Sequence, residues 1–534
     1  MTARRAALLV ALAAVVPYLP TLDNYFVQDD FGVVALLSSK PATYFPRWFV
    51  STWMDDIWGY TPDEIRPFPA VSYQMAAIFG AASPVANHVV NIGFHAVNAV
   101  LVLAVAAEAA GLALAPATFA ALVFAVLPMQ TESVAWVTGR VDSMPACFFL
   151  AAFLCFARWR VTGRAWQYWW AVAWCAVALL TKQNTVILGP CLVAFDLVVR
   201  RQPPRFTWEW MRPYLPFALL TLAYLALRYV LFGEVAREST LNARQFAVFT
   251  ADLAVHLKRM VYGEPGVAAP GLRVAAWVAG AGLATAAYGA VAVGRRAAPL
   301  VAVAVFFGVV WIGLSVAPTL VAGYASPRHM YLAAVGWAVL LAVPCQLGWE
   351  GGRGVGRWVT IGAAAAVLGV YAVQLRGEVA AWDVRADVSR RAVLDLTAEA
   401  ERQPPGALVL AGVPRRSFDF AVPHALRPPF TTADLTARLR VVTHSSLHCC
   451  PANLWEPHTR ALLRAWLDDP SQPPVVVLHW HADTGALTRV DDTAQPFVRA
   501  LVPLLAGTRD VASLDSALLD VIGKLTGGDT RRLR

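Results

Sequence analysis

Residues 123–142 read Val-Phe-Ala-Val-Leu-Pro-Met-Gln-Thr-Glu-Ser-Val-Ala-Trp-Val-Thr-Gly-Arg-Val-Asp. An apolar run over residues 115–127 stops at Pro128. A polar segment carrying Glu132, Arg140 and Asp142 follows, and a second apolar run begins at once over residues 144–156. Two apolar runs joined by a short charged segment describe a hairpin of membrane spans with its polar turn at one interface. Both runs are short for full spans, and tilt or flanking residues extend them.

The same pattern recurs outward in both directions. The chain has 534 residues, 58% of them hydrophobic and only 15% charged. Further apolar runs cover residues 6–22, 87–112, 165–180, 185–199, 213–231, 274–293, 299–321, 331–347 and 359–375. The reading is a polytopic α-helical membrane protein with about 11 transmembrane helices. Positive charge orients it: Arg4 and Arg5 precede the first run, and Arg158, Arg160, Arg164, Arg200, Arg201, Arg205, Arg295, Arg296, Arg353 and Arg357 fall in loops on that same side. The N-terminus is therefore expected in the cytoplasm and the tail outside, in the inner (cell) membrane of a bacterium. The first run is expected to be retained rather than cleaved as a signal peptide, because no small-x-small site follows cleanly and the topology needs it. The net charge of +9 calls for no nucleic acid; arginines facing anionic lipid account for part of it.

Three parts follow from composition. Residues 1–375 form a transmembrane domain. Within it, an outer loop over 23–86 is rich in aromatics and proline, which suits short helices lying in the interface; residues 246–262 of a second outer loop read as another such helix. Residues 376–534 read as a small extracytoplasmic α/β domain. In this tail, residues 378–402, 459–467 and 496–505 look helical, and 407–413, 439–443, 475–480 and 486–490 look like strands. Five of the seven cysteines sit in apolar runs as small core residues; Cys449 and Cys450, adjacent in the tail, are read as two free or separately paired thiols in preference to a strained vicinal disulfide. Six of the ten histidines lie in the tail, and His479 and His481 share one strand face. Their spacing matches no trusted metal motif, and help in holding an acceptor or partner is the favoured role of this domain.

Every conspicuous polar cluster falls at the outer end of an apolar run: Asp29-Asp30, Asp55-Asp56, residues 132–142, residues 181–184 and residues 324–329. A solute carrier is expected to place polar groups at mid-membrane depth. Gathering them at one face suits an enzyme acting on a lipid-linked substrate. Asp29 and Asp30 lie a few residues after the first run among apolar neighbours, where an acid pair costs free energy unless paired, protonated or bound to a cation. They read either as a general base, with or without a divalent cation (Mg or Mn), or as a solvated turn or helix cap.

The order of motifs carries a resemblance. Asp29-Asp30 is followed by Trp53-Met54-Asp55-Asp56-Ile57-Trp58-Gly59, Arg66-Pro67-Phe68 and Asn87-His88-Val89-Val90-Asn91 through Asn98. Then come Glu132-Ser133-Val134-Ala135-Trp136 with Gly139-Arg140-Val141-Asp142, Thr181-Lys182-Gln183 and Arg328-His329-Met330-Tyr331. Over residues 20–345 this resembles the transmembrane and tetratricopeptide-repeat O-mannosyltransferases and their bacterial relatives, C-type (GT-C) membrane glycosyltransferases alongside the protein O-mannosyltransferases. The resemblance implies a GT-C fold, a polyprenyl-phosphate-linked sugar (mannose or a similar hexose) as donor, and a hydroxyl of a protein or glycan as acceptor on the outer face. It also implies an acidic base just after the first span, here Asp29 or Asp30. Donor-phosphate and substrate contacts then fall to Arg66, Glu132, Arg140, Asp142, Lys182, Arg328 and His329, since guanidinium forks suit phosphate oxygens.

Each residue has a plainer role beside this one. Arg140 pairs with Glu132 or Asp142, Lys182 snorkels at a helix end, and Arg66 caps its loop against Asp63 or Glu64. His88 and His95 are packing residues. The chain departs from the family where His-Pro-x-His-x-Glu becomes Leu127-Pro128-Met129-Gln130-Thr131-Glu132, where Lys-Glu becomes Lys182-Gln183, and where Glu-Arg-Tyr-Leu-Tyr becomes Pro327-Arg328-His329-Met330-Tyr331. Two other classes compete: a non-enzymatic carrier or flippase for a lipid-linked glycan, and an inactive scaffold of a glycan-assembly complex.

Overall fold

The computed structural model describes residues 1–54, 64–78, 83–235, 243–262, 298–322, 326–351, 354–413, 422–443, 469, 475–481 and 483–489. Within these the chain is a multi-pass helical membrane protein carrying one small sheet. Seven helices are long and apolar enough to cross a bilayer, and an eighth if the bent pair Leu114–Val126 and Pro128–Ala135 is one span. The helix over Ala165–Leu179 has 15 residues, Gln183–Val198 is another shorter apolar helix, and the expected run at 274–293 lies outside the described residues; these three account for the difference from eleven. The run at 274–293, Asp55-Asp56, Cys449-Cys450 and the helices expected over 459–467 and 496–505 lie outside the described residues.

Local chemistry sets the helix ends. The hydroxyl of Ser83 accepts the amide of Ala86 ahead of Pro84, the first residue of the helix Pro84–Ala104. Gly163, at φ +70°, closes Arg140–Thr162. Proline breaks the third span: Leu127 turns extended before Pro128, and the two halves meet at 49°. Aromatic side chains then fill the interior. Phe149 and Phe153 meet Trp311 edge-on at 5.5 and 5.0 Å.

The outer loop forms helices over Asp30–Ser38 and Pro67–Ile78 with a short 3-10 helix, Ala42–Phe49, between them. The second outer loop forms the helix Ala243–Tyr262. At residue 375 the chain does not pause. One helix of 48 residues, Val355–Arg402, carries it out of the apolar region and into the tail.

The sheet has four strands, β1 (Ala407–Gly412), β2 (Leu439–Thr443), β3 (Val475–His481) and β4 (Ala486–Arg489). Its order is β2-β1-β3-β4, with β4 antiparallel and the rest parallel. This tail shares its core with the outer loop. Val476, Leu478 and Trp480 bury with Ala392 and Leu396 of the long helix and with Phe31, Leu37 and Trp48 of the loop. Phe430 meets Phe26 and Phe31 at 5.2 and 4.9 Å. Three hydrogen bonds fasten the same junction: Asn24 to Asp383 at 2.9 Å, Ser389 to the Phe26 carbonyl at 2.6 Å, and Arg390 to the Asp23 carbonyl at 2.7 Å.

Candidate active site

The polar turn between the two short apolar runs also builds the site. After the bend at Pro128, the short helix Thr131–Ala135 reverses through Trp136–Gly139 into the helix Arg140–Thr162. The reversal is tight at Gly139: a Cβ there would lie 2.3 Å from the Glu132 carbonyl oxygen and 2.9 Å from that of Trp136. Only glycine fits, and the fit aims Thr138 at the first outer loop.

Asp30 receives it. The Asp30 carboxylate is buried at the first turn of Asp30–Ser38. One oxygen accepts the Thr138 amide at 2.8 Å and its hydroxyl at 2.5 Å; the other accepts the Val27 amide at 3.0 Å. Burial pushes its pKa up to about 7, against the opposing pull of these hydrogen bonds and of the Arg140 charge. Asp29 precedes it, half-buried at the cap position, its side chain forming no cap bond.

A second cluster holds the positive charge. Lys182 is buried and bonded to Asp142. Arg328 joins Glu132 at 3.0 Å and Asp142 at 3.6 Å, and it lies over the Trp136 ring at 4.9 Å. Arg66 pairs with Glu64 at 2.8 Å and lies over Trp53 at 5.2 Å. His329 caps its own turn, its Nδ1 accepting the Ser326 amide at 3.3 Å. Burial drives the His329 pKa well down, and the charges of Lys182, Arg328 and Arg66 push the same way. Burial also lowers the Lys182 pKa to about 8, with Asp142 opposing. Lys182, Arg66, Arg328 and His329 thus form one electrostatic neighbourhood, each cation kept beside a carboxylate so that none is buried bare.

The segment Trp136–Thr138 joins the two clusters. Trp136 faces Arg328 and donates to the Val27 carbonyl at 3.2 Å; Thr138, two residues on, grips Asp30. The hydroxyl of Tyr73, within the field of Asp29, Asp30, Arg66 and Arg140, donates to the Val137 carbonyl at 2.8 Å.

Arg140 stands apart from the phosphate role and from the pairing with Glu132 or Asp142. It is fully buried, donating to Asn91 at 2.8 Å, to Ser72 at 3.0 Å and to the Asn87 carbonyl and side chain at 3.0 Å each. Asn91 in turn donates to the carbonyls of Val134, Trp136 and Val137. Arg140 therefore positions the loop that positions Asp30. Thr138, Asn87, Asn91 and Tyr73 were missed as site residues. Asn87, Asn91 and Asn98, at intervals of four and seven in an apolar helix, carried the available signal. His88 and His95 are buried packing residues, bonded to the Asn24 carbonyl and to Tyr331 and the Ala125 carbonyl.

Asp30 by itself is a poor cation ligand. Both Asp30 oxygens already accept protein donors, and among the described residues no group of three or more His, Cys, Asp or Glu side chains is placed to hold a metal.

No protein-family model matches the chain. Among curated proteins it is similar to protein O-mannosyl-transferase TMTC3 of Homo sapiens, 32% identical over 182 residues, which is 32% of this chain and 19% of that protein. Protein O-mannosyl-transferase TMTC4 of Homo sapiens is 30% identical over 224 residues, 36% of this chain and 29% of that protein. The chain therefore spans less than a third of the length of these relatives. Among solved structures it resembles the archaeal oligosaccharyltransferase AglB from Archaeoglobus fulgidus in complex with an inhibitory peptide and a dolichol-phosphate, with TM-score 0.51 and 12% identity over 94% of this chain and 72% of that one. It also resembles ArnT from Cupriavidus metallidurans in the apo state, with TM-score 0.50 and 16% identity over 89% of this chain and 93% of that one. The chain shares the fold of AglB and ArnT, the GT-C fold, and about a third of its sequence is similar to protein O-mannosyl-transferases.

Proposed function

We propose that this chain transfers a hexose, mannose or a close relative, from a polyprenyl-phosphate carrier to a hydroxyl of a protein or glycan acceptor. The reading places the reaction on the periplasmic side of a bacterial inner membrane, with the N-terminus in the cytoplasm. The observation that carries it is Asp30, a buried carboxyl with a pKa near 7, tied through Trp136–Thr138 to a cluster of three cations. A general base is most effective when its pKa lies near the working pH.

In the proposed step the acceptor oxygen bonds to the anomeric carbon as the bond from that carbon to the phosphate oxygen breaks. The leaving polyprenyl phosphate keeps the electron pair, and the acceptor proton moves to the Asp30 carboxylate. Lys182, Arg328 and Arg66 stabilise the departing phosphate, with Arg328 the most accessible of them at 19% side-chain exposure. Glu132 and Asp142 hold those cations in place.

The test is sugar release from labelled undecaprenyl-phosphate hexoses by the purified chain and by Asp30→Asn, with and without chelator. Release by the unmodified chain alone, insensitive to chelator, is expected. Equal release by both proteins would remove Asp30 from the reaction, and loss on chelation would restore the cation.

A further inference from the structure

We infer that Gln130 reads the sugar of the donor, its side-chain amide bonding a glycosyl hydroxyl. Gln130 has 0% exposure, yet neither its amide nitrogen nor its amide oxygen has a hydrogen-bond partner. Gln74 and Asn91 are occupied by contrast: Gln74 bonds Trp48 and the Lys40 and Pro41 carbonyls, Asn91 bonds Arg140 and three carbonyls, and Asn98 leaves only its amide oxygen unmet. Leaving both ends of an amide unmet in the interior is costly, and such a group calls for a specific explanation.

Its position supplies one. Gln130 ends the 3-10 turn Pro128–Gln130 at the bend of the broken span. Irregular backbone that interrupts a membrane span is tolerated where it faces a cavity or other protein, and not where it faces lipid. The turn packs against Pro327–Met330, which carries Arg328 and His329, and against the helix Ala243–Tyr262. Two residues on, Glu132 holds Arg328. The unmet amide is thus a neighbour of the cation cluster but not a member of it.

The chemistry of the amide selects the ligand. It offers two donors and one acceptor. A phosphate at this pH chiefly accepts, and a polyprenyl chain does neither. A hydroxyl does both, and the sugar is the part of the donor that brings hydroxyls beside its phosphate. This inference rests on the reading that the cations receive a sugar phosphate.

The test measures binding, so that it stands apart from turnover. Undecaprenyl phosphate and undecaprenyl-phosphate mannose and glucose are titrated against the full chain and Gln130→Met. The unmodified chain is expected to prefer a sugar-bearing lipid by about tenfold or more, the worth of one or two well-placed hydrogen bonds. Gln130→Met is expected to bring that ratio close to one, leave undecaprenyl phosphate binding unchanged, and keep or raise the thermal midpoint, because an apolar side chain replaces an unmet polar one. A monodeoxy sugar lacking the recognised hydroxyl should reproduce the loss in the unmodified chain, and the variant should add nothing to it. A ratio of one in the unmodified chain, a ratio unchanged in Gln130→Met, or a lowered midpoint with loss of undecaprenyl phosphate binding overturns the inference. Sugar preference without any transfer would leave the Gln130 inference standing and sink the proposed reaction instead.

Discussion

Asp30 and Thr138 lie 108 positions apart, and both the amide and the hydroxyl of Thr138 donate to one oxygen of the Asp30 carboxylate. The contact locks the first outer loop to the turn of the bent hairpin. It also holds the carboxylate in a single orientation, which a base needs if its free lone pair is to meet an incoming hydroxyl. Asp30→Asn keeps the size of the side chain and removes its basicity. Transfer is expected to fall by about 10²- to 10⁴-fold, the usual worth of a positioned base. Asp29→Asn is expected to cost less than about tenfold, since its half-exposed side chain lacks the Thr138 clamp. Equal losses in the two variants would assign the role to the pair.

The two shifted groups set a narrow pH window. Asp30 must be ionised to accept a proton, so kcat/KM should rise with pH up to about 7. Lys182 must be protonated to hold a phosphate, so kcat/KM should fall again above about 8. The parameter kcat/KM reports groups of the free protein, where both shifts apply. A profile flat from pH 6 to 9 would contradict both assignments.

Thr138→Val separates the clamp from the base. The backbone amide bond to Asp30 remains and the hydroxyl bond is lost. That bond favours the ionised carboxylate, so its removal should move the acidic limb of the profile upward by about one unit. A purely structural threonine would lower stability and leave the limb in place.

Arg328→Gln tests the phosphate side. Arg328 bridges Glu132 and Asp142 and faces Trp136, and it is less buried than Lys182 or Arg66. Loss of its charge should raise KM for the lipid donor and lower kcat, together by about 10²- to 10³-fold. Unchanged donor kinetics would exclude Arg328 from the leaving-group site.

Much of this architecture was legible in the residue order. Apolar runs gave most of the spans, short apolar runs gave the strands of the tail, and the outer clusters contained Asp30, Lys182 and Arg328. Periodicity reports which face of an element is buried, but not what buries it. The union of the tail sheet with Phe26, Phe31 and Trp48 was therefore invisible, as was the continuous helix through residue 375, whose apolar and charged halves differ in composition but not in conformation. The site suffered most where a residue works through a distant partner. Thr138 looks like any turn threonine until Asp30 is placed beside it, and Gln130 looks like a lost histidine until its unmet amide is seen.

Arg140 makes the sharpest contrast between residue type and role. In the sequence it read either as a phosphate ligand or as a partner of Glu132 or Asp142. In the fold its guanidinium is spent on four hydrogen bonds to Asn87, Asn91 and Ser72 and lies over the Tyr73 ring at 4.2 Å. Arg140→Met removes the charge and strands those buried acceptors, each worth about 1–3 kcal/mol when left unmet. The loss should approach several kcal/mol in total and appear as a lower thermal midpoint in detergent. Arg140→Lys keeps the charge but not the fork, and one ammonium cannot span three residues, so it should rescue little. In both variants the fraction that still folds should bind undecaprenyl phosphate with nearly normal affinity. A well-folded Arg140→Met chain with lost lipid binding would return Arg140 to the phosphate.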